Sequence, residues 1–297
     1  MMKTLIEIAV PAMTIVLLTA VGLDLRAGDF VRVRRQPAVL LVGVIAPAIL
    51  LPLLAFGLTL LFQTGPGVTA GVLLIAACPI GGISNAYVYL ARASVALSVT
   101  LSGLSCLCAS LTIPLIGKWL KLITGRPLDV AAPMRLQIAQ LVVMLALPLT
   151  LGIWLRQRAP EFAARYHAAL QRLAFMALTV VLFLVIAEDP NAFVGGLSKT
   201  VPIAVAFVLS SLIVGWMVAA PVTRNRGDRF TVAVEFGTRN VSIATAIAVT
   251  LLGRIDFARF ATTYFLTEVP LMLLAVFAFR RVQALLSTQA VASGPKQ

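Results

Sequence analysis

Residues 78–85 read Cys78-Pro79-Ile80-Gly81-Gly82-Ile83-Ser84-Asn85, and residues 235–242 read Glu235-Phe236-Gly237-Thr238-Arg239-Asn240-Val241-Ser242; each interrupts a long apolar run. A helix needs about 20 mainly apolar residues to cross a bilayer, and both runs reach that length. Proline and paired glycines weaken a helix locally. Backbone released from its ladder is tolerated at membrane depth only where it lines a cavity or is buried in protein. A packing kink would account for either break alone, but not for Glu235, Arg239 and two asparagines. An ionisable residue at that depth costs about 2.5–3.5 kcal/mol on insertion scales, so two within one turn point to a site.

The rest of the chain agrees with a membrane setting. Of its 297 residues, 60% are hydrophobic and only 12% charged, more apolar surface than a water-soluble domain of this size can bury. Apolar runs predict nine spans, near residues 4–23, 38–62, 68–90, 94–117, 137–155, 169–187, 200–221, 230–252 and 258–279. The first carries Glu7 and Pro11 with no small-residue cleavage site after it, and reads as a retained helix rather than a signal peptide. The expected class is therefore an all-α polytopic membrane protein, with the lipid bilayer as its main surroundings.

The net charge of +13 resides in short clusters between apolar runs, a pattern of membrane orientation and not of nucleic-acid binding. Fifteen basic residues fall on one side: Arg26, Arg32, Arg34, Arg35, Arg92, Arg156, Arg158, Arg165, Arg172, Arg224, Arg226, Arg229, Arg280, Arg281 and Lys296. Eight fall on the other: Lys3, Lys118, Lys121, Arg126, Arg135, Lys199, Arg254 and Arg259. The excess predicts an N-terminus outside and a C-terminus in the cytoplasm of a bacterial-type inner membrane. The third span then enters from outside and the eighth from the cytoplasm, so their breaks meet with opposite polarity, the pattern of an inverted repeat. The predicted organisation is a first repeat over 1–117 lacking an opening helix, a connection over 118–136 with a short interfacial helix near Trp119, a second repeat over 137–281, and a cytoplasmic tail over 282–297.

The chemistry of the breaks suits a carrier of small anions. Free amides at half-helix N-termini favour an anionic group, and Asn85, Thr238, Asn240 and Ser242 add hydrogen-bonding groups, so a carboxylate is the expected substrate. Arg239 pairs with Glu235 or with Glu268 of the ninth span, or contacts a substrate carboxylate through its fork. An intramembrane enzyme would require a catalytic constellation, and none is present. Cys78, Cys106 and Cys108 lie in apolar stretches without metal-site spacing, and the single His167, in a basic connection, is read as solvated.

Beyond these breaks, Gly22-Leu23-Asp24-Leu25-Arg26 with Asp29-Phe30, Tyr89-Leu90-Ala91-Arg92, Val95-Ala96-Leu97-Ser98-Val99-Thr100 and Glu235-x-Gly237-x-x-Asn240 occur in order. With them the sequence resembles the bile acid:sodium symporter family over nearly its whole length. The resemblance implies a panel domain (spans one, five and six) and a core domain in which two broken helices cross, here in a nine-span form lacking the first helix. It implies one sodium held by Ser84, Asn85, Ser98, Ser102 and Glu235, whose oxygens suit a hard cation. The family's second sodium uses two glutamines whose positions carry Arg239 and Pro47 here, so that site is expected to be absent, with Arg239 as a surrogate charge. The implied activity is secondary transport of a small organic anion by alternating access, with sodium as the coupling ion and no other cofactor. A sodium-independent or proton-coupled carrier on the same fold, with Glu235 or Glu268 exchanging protons, is the alternative.

Overall fold

The computed structural model describes residues 2–24, 37–124 and 139–292, and every named element among them is helical. In chain order these are α1 (Met2–Asp24), α2 (Pro37–Leu61), α3 (Pro66–Ala77), α4 (Ser84–Leu90) and α5 (Val95–Thr124). They continue as α6 (Leu147–Arg158), α7 (Pro160–Glu188), α8 (Pro190–Ala219), α9 (Arg226–Gly237), α10 (Val241–Ala246) and α11 (Ile255–Ala292). A π-helical turn, Val142–Ala146, leads into α6, where Leu147 N–H bonds to Val142 O. The widened turn precedes Pro148, which has no N–H to continue the ladder. A second π turn, Ile247–Leu251, extends α10.

Among the described residues six helical stretches are long and apolar enough to cross a membrane: Thr4–Asp24, Pro37–Leu61, Ala139–Arg158, Pro160–Glu188, Pro190–Ala219 and Ile255–Leu286. The described residues are those of an all-helical chain with the make-up of a polytopic membrane protein. Leu60, Phe183, Leu274 and Phe277 stand exposed on the outside of this bundle, as expected where the solvent is lipid.

Several helices run further than the apolar pattern predicts. α5 continues through Thr124, across the expected connection at Trp119; α7 starts at Pro160 rather than 169; α8 starts at Pro190 rather than 200; α11 runs on to Ala292. Charge marks the edge of the bilayer, not the end of a helix. A 30-residue helix is about 45 Å long against a hydrocarbon layer of about 30 Å, so its charged ends project into the aqueous phase. At the start of α7, Pro160 occupies the first turn with Glu161 beside it, both favourable at a helix N-terminus. His167 accordingly lies on a helix, not in a connection. Arg26, Arg32, Arg34, Arg35, the Asp29-Phe30 pair, Arg126, Arg135 and Lys296 lie outside the described residues.

The helices pack in two groups. α1 lies mainly against α6 and α7, while α8 packs on α9, α11 and α2, and α3 sits between α2 and α11. α1 and α6 approach closely at Gly22 and Gly152, where a Cβ on Gly152 would collide with the Thr19 carbonyl oxygen and one on Gly22 with that of Leu149. Small residues at a helix crossing let backbones touch where no hydrophobic drive exists between apolar helices in lipid. Gly152→Leu is expected to push the helices apart and lower the melting temperature of the detergent-solubilised protein by several degrees, as overpacking costs about 1–3 kcal/mol. An unchanged melting temperature would show that this crossing does not contribute to stability.

Candidate functional site

Two breaks of the helical ladder face one another at the centre of the second group. α3 ends at Ala77 and α9 at Gly237, and Cys78 and Thr238 are both extended. The two extended stretches pair antiparallel across Ile80 and Arg239. Gly81 N–H donates to Thr238 O at 3.1 Å, and Asn240 N–H to Pro79 O at 2.9 Å. Ile80 N–H is taken by Ser105 Oγ at 3.1 Å. Backbone donors released by each break are thus satisfied by the other, which is what lets both persist out of water. The pairing requires a glycine: a Cβ at Gly81 would lie 2.9 Å from Arg239 O. Helix restarts at Ser84 and at Val241, where Asn240 Oδ1 accepts from Ile243 N–H at 3.1 Å as a side-chain cap.

A tight turn returns the chain to this crossing. α4 closes with Arg92 N–H bonded to Tyr89 O and Ala93 N–H to Val88 O, with Arg92 at φ 55°, a Schellman arrangement that reverses the chain into α5. The turn is tied to the start of α9, because Ser94 N–H donates to Thr231 Oγ1 at 3.1 Å and Ser94 Oγ to Asp228 Oδ1. Ser98, one turn into α5, is thereby carried back beside α4 and α9.

There four of the expected sodium ligands converge. Ser84 Oγ donates to Glu235 Oε2 at 2.9 Å, and Ser98 Oγ contacts both Glu235 Oε1 and Asn85 Oδ1, the latter at 2.7 Å. Glu235 has no solvent exposure. The cluster gathers two hydroxyls, an amide carbonyl and a carboxylate, donors that replace the water of a hard monovalent cation. Ser102, one turn further along α5, is buried but gives its hydroxyl hydrogen to Val99 O at 3.1 Å, and no hydrogen bond joins it to the cluster.

The Arg239 guanidinium reaches main-chain carbonyls rather than a carboxylate. Nη1 donates to Glu235 O at 3.2 Å and Nη2 to Cys78 O, while Nε finds no partner. Both carbonyls belong to helix C-terminal ends, α9 and α3, where helix dipoles concentrate negative charge. Among the described residues no ion pair joins Arg239 to Glu235 or Glu268. Pro47, the other position read as a lost ion ligand, is buried within α2.

Glu268 on α11 is also without solvent exposure, and neither of its carboxylate oxygens has a hydrogen-bond partner. The hydroxyls of Tyr87 and Thr238 stand beside it and have no other partner. Tyr264, one turn earlier on α11, gives its hydroxyl hydrogen to Gly237 O at 2.5 Å. The sequence offered no signal for the two tyrosines, which read as ordinary aromatics in apolar helices.

A cavity of about 790 Å³ borders the crossing. Asn85, Arg239, Asn240 and Ser242 line it, whereas Thr238 and Glu268 do not. Most of the wall is apolar, from Leu17, Val21, Leu178 and Phe265 among others. Asn240 Nδ2 is an unpartnered donor, its amide oxygen being spent on the cap of α10. The rim carries Asp24, Gln171 and Arg172, with His167 Nε2 at 2.5 Å and Gln171 Nε2 at 3.2 Å from the Asp24 carboxylate. Asp24 was visible as part of a sequence motif, but its partners on α7 were not.

Residues 11–195 match the Sodium Bile acid symporter family. Over 238 residues the chain is 25% identical to the "Uncharacterized sodium-dependent transporter YocS" of Bacillus subtilis (strain 168), covering 78% of this chain and 71% of that protein. It is 25% identical over 235 residues to the rice (Oryza sativa subsp. japonica) "Probable sodium/metabolite cotransporter BASS2, chloroplastic", and 23% over 225 residues to the human (Homo sapiens) "P3 protein". The matches cover 78% and 75% of this chain but 54% and 46% of those two relatives, so the chain spans about half of their length. The matched region holds the first break and the cavity-lining parts of α1 and α7, and on these grounds the chain belongs to the Sodium Bile acid symporter family.

Proposed function

We propose that the chain is a secondary transporter that carries a small organic anion by alternating access, coupled to one sodium ion. The observation that carries this reading is the convergence of Ser84, Asn85 and Ser98 on Glu235 at the crossing, beside a cavity lined by Asn85, Arg239, Asn240 and Ser242. The ion takes those oxygens, with Ser102 turning its hydroxyl from Val99 O to join them. Asn240, whose Nδ2 has no partner, and the cationic Arg239 both belong to the wall at this end of the cavity, which suits a carboxylate. Sodium bound at Glu235 fixes α4 and α9 and so shapes the substrate pocket, the coupling a symporter needs. The names of the Bacillus and rice relatives, a sodium-dependent transporter and a sodium/metabolite cotransporter, point the same way.

The wider architecture belongs to the same proposal. Nine spans arise if each broken helix, α3 with α4 and α9 with α10, crosses as one unit. The grouping of α1 with α6 and α7 supports a panel against a core, with inverted repeats over 1–117 and 137–281. With the N-terminus outside a bacterial-type inner membrane, the rim at Asp24 and Arg172 faces the cytoplasm. The Arg259 pair with Glu188, at 2.6 Å, then lies on the outer side.

Uptake of labelled small carboxylates and bile acids into proteoliposomes, with and without an inward sodium gradient at fixed pH, tests the reading. Saturable, sodium-driven uptake with a Hill coefficient near one is expected. Uptake indifferent to sodium would overturn it.

A further inference from the structure

Buried carboxylates in a membrane protein normally have a donor or a counter-ion, since an unpaired charge away from water is the most costly group a fold can hold. At the crossing three ionisable side chains are buried: Glu235, Arg239 and Glu268. Two of them are matched. Both oxygens of Glu235 accept from serine hydroxyls, and Arg239 donates to two helix-end carbonyls. Among the described residues Glu268 has no ion-pair partner, and only the Tyr87 and Thr238 hydroxyls stand beside it.

We propose that Glu268, flanked by the Tyr87 and Thr238 hydroxyls, is a proton-binding site that works in opposition to sodium: the sodium-free carrier holds a proton on Glu268, and sodium entry at Glu235 releases it. This rests on the sodium reading above and adds a second ion to it. The charges balance in both states. With Glu235 ionised, Arg239 positive and Glu268 protonated, the crossing is neutral without sodium. When one sodium ion binds, neutrality returns only if the Glu268 carboxyl gives up its proton, which ends in bulk water and leaves the carboxylate. The proton is placed on Glu268 and not Glu235, because Glu235 lies against the Ser84 and Ser98 hydroxyls with Arg239 in the next turn, whereas Glu268 has only the Tyr87 and Thr238 hydroxyls beside it and no cation.

The surroundings of Glu268 contain no other group that would serve. From α4 only Tyr87 faces it, and from the 238–240 link Thr238, which does not titrate. On α11 itself Tyr264 is committed to Gly237 O, and Arg239 approaches that tyrosine rather than Glu268. α3 and α10 contain no ionisable residue, and Lys199 of α8 is exposed. Glu188 of α7 and the neighbouring Asp189 pair with Arg259, and on α9 Asp228 is held by Ser94.

The test combines sodium binding, measured with radioactive sodium on detergent-solubilised full-length protein, with proton release, followed by a pH indicator in weakly buffered solution. About one proton should leave per sodium bound, and apparent sodium affinity should weaken about tenfold per pH unit of acidification while Glu268 is protonated, as linkage requires. Glu268→Gln keeps the side chain neutral, as in the protonated acid, so sodium should bind more weakly than to the unaltered protein at high pH, with no proton released and no pH dependence. Should that variant fail to fold, Tyr87→Phe is expected to move the pH midpoint of release. Sodium binding without release, release that persists in Glu268→Gln, or a midpoint unmoved by Tyr87→Phe would overturn the inference and leave the sodium reading intact. Absence of sodium binding in the unaltered protein would overturn both.

Discussion

Glu235→Gln is expected to abolish sodium-driven uptake while leaving the protein folded. The carboxylate is the only formal negative charge among Ser84, Asn85, Ser98 and Glu235, and a cation there has no other anion to balance it. At an effective dielectric of about 20, two unit charges about 4 Å apart attract by about 4 kcal/mol. Even half of that, about 2 kcal/mol, is more than a tenfold loss of sodium affinity, and the full value approaches a thousandfold. Glutamine keeps the volume and one acceptor, so Ser84 or Ser98 retains a partner and the other hydroxyl turns to accept from the new amide. Sodium titration of uptake in proteoliposomes reads the effect directly. Retention of sodium-driven uptake within about threefold of the unaltered protein would remove Glu235 from the coupling site.

Much of this site was legible in the sequence because membrane depth makes polar residues conspicuous. Glycine, proline and asparagine inside apolar runs marked both breaks, and the alternation of basic clusters suggested that the runs enter from opposite sides. What periodicity and composition do not carry is direction. Arg239 sits four residues after Glu235, a spacing that on an intact helix brings two side chains together, yet the helix ends at Gly237 and the guanidinium turns to the carbonyls of Glu235 and Cys78. Ser102 follows Ser98 by one turn and looks equivalent, but its hydroxyl bonds to its own helix. The opposite error came from charge: Arg165 and His167 suggested a loop, where the structure places the first turns of α7 beyond the apolar zone. Hydrophobic patterning reports the solvent around a helix and is silent on where the helix stops.

Arg239→Gln is expected to have the second large effect, and it separates the three readings of that arginine. The guanidinium places a fixed positive charge between two helix C-terminal ends, at carbonyls that a cation would otherwise coordinate. Glutamine removes the charge and offers one amide nitrogen on a shorter side chain where two guanidinium nitrogens stood, and a buried carbonyl that loses its donor costs about 1–3 kcal/mol. The deficit is one a second cation can fill. Uptake at low sodium should therefore fall by about tenfold or more, recover at high sodium, and show a Hill coefficient above one. Arg239→Lys keeps the charge without the planar fork, and should hold the coefficient near one with reduced uptake. An arginine that only contacted substrate would instead give both variants a raised substrate KM at an unchanged sodium Hill coefficient. One that only braced the fold would lower the melting temperature and leave the coupling of the surviving protein intact. The sodium Hill coefficient of Arg239→Gln, compared with that of Arg239→Lys, thus decides whether a side chain has taken the place of an ion.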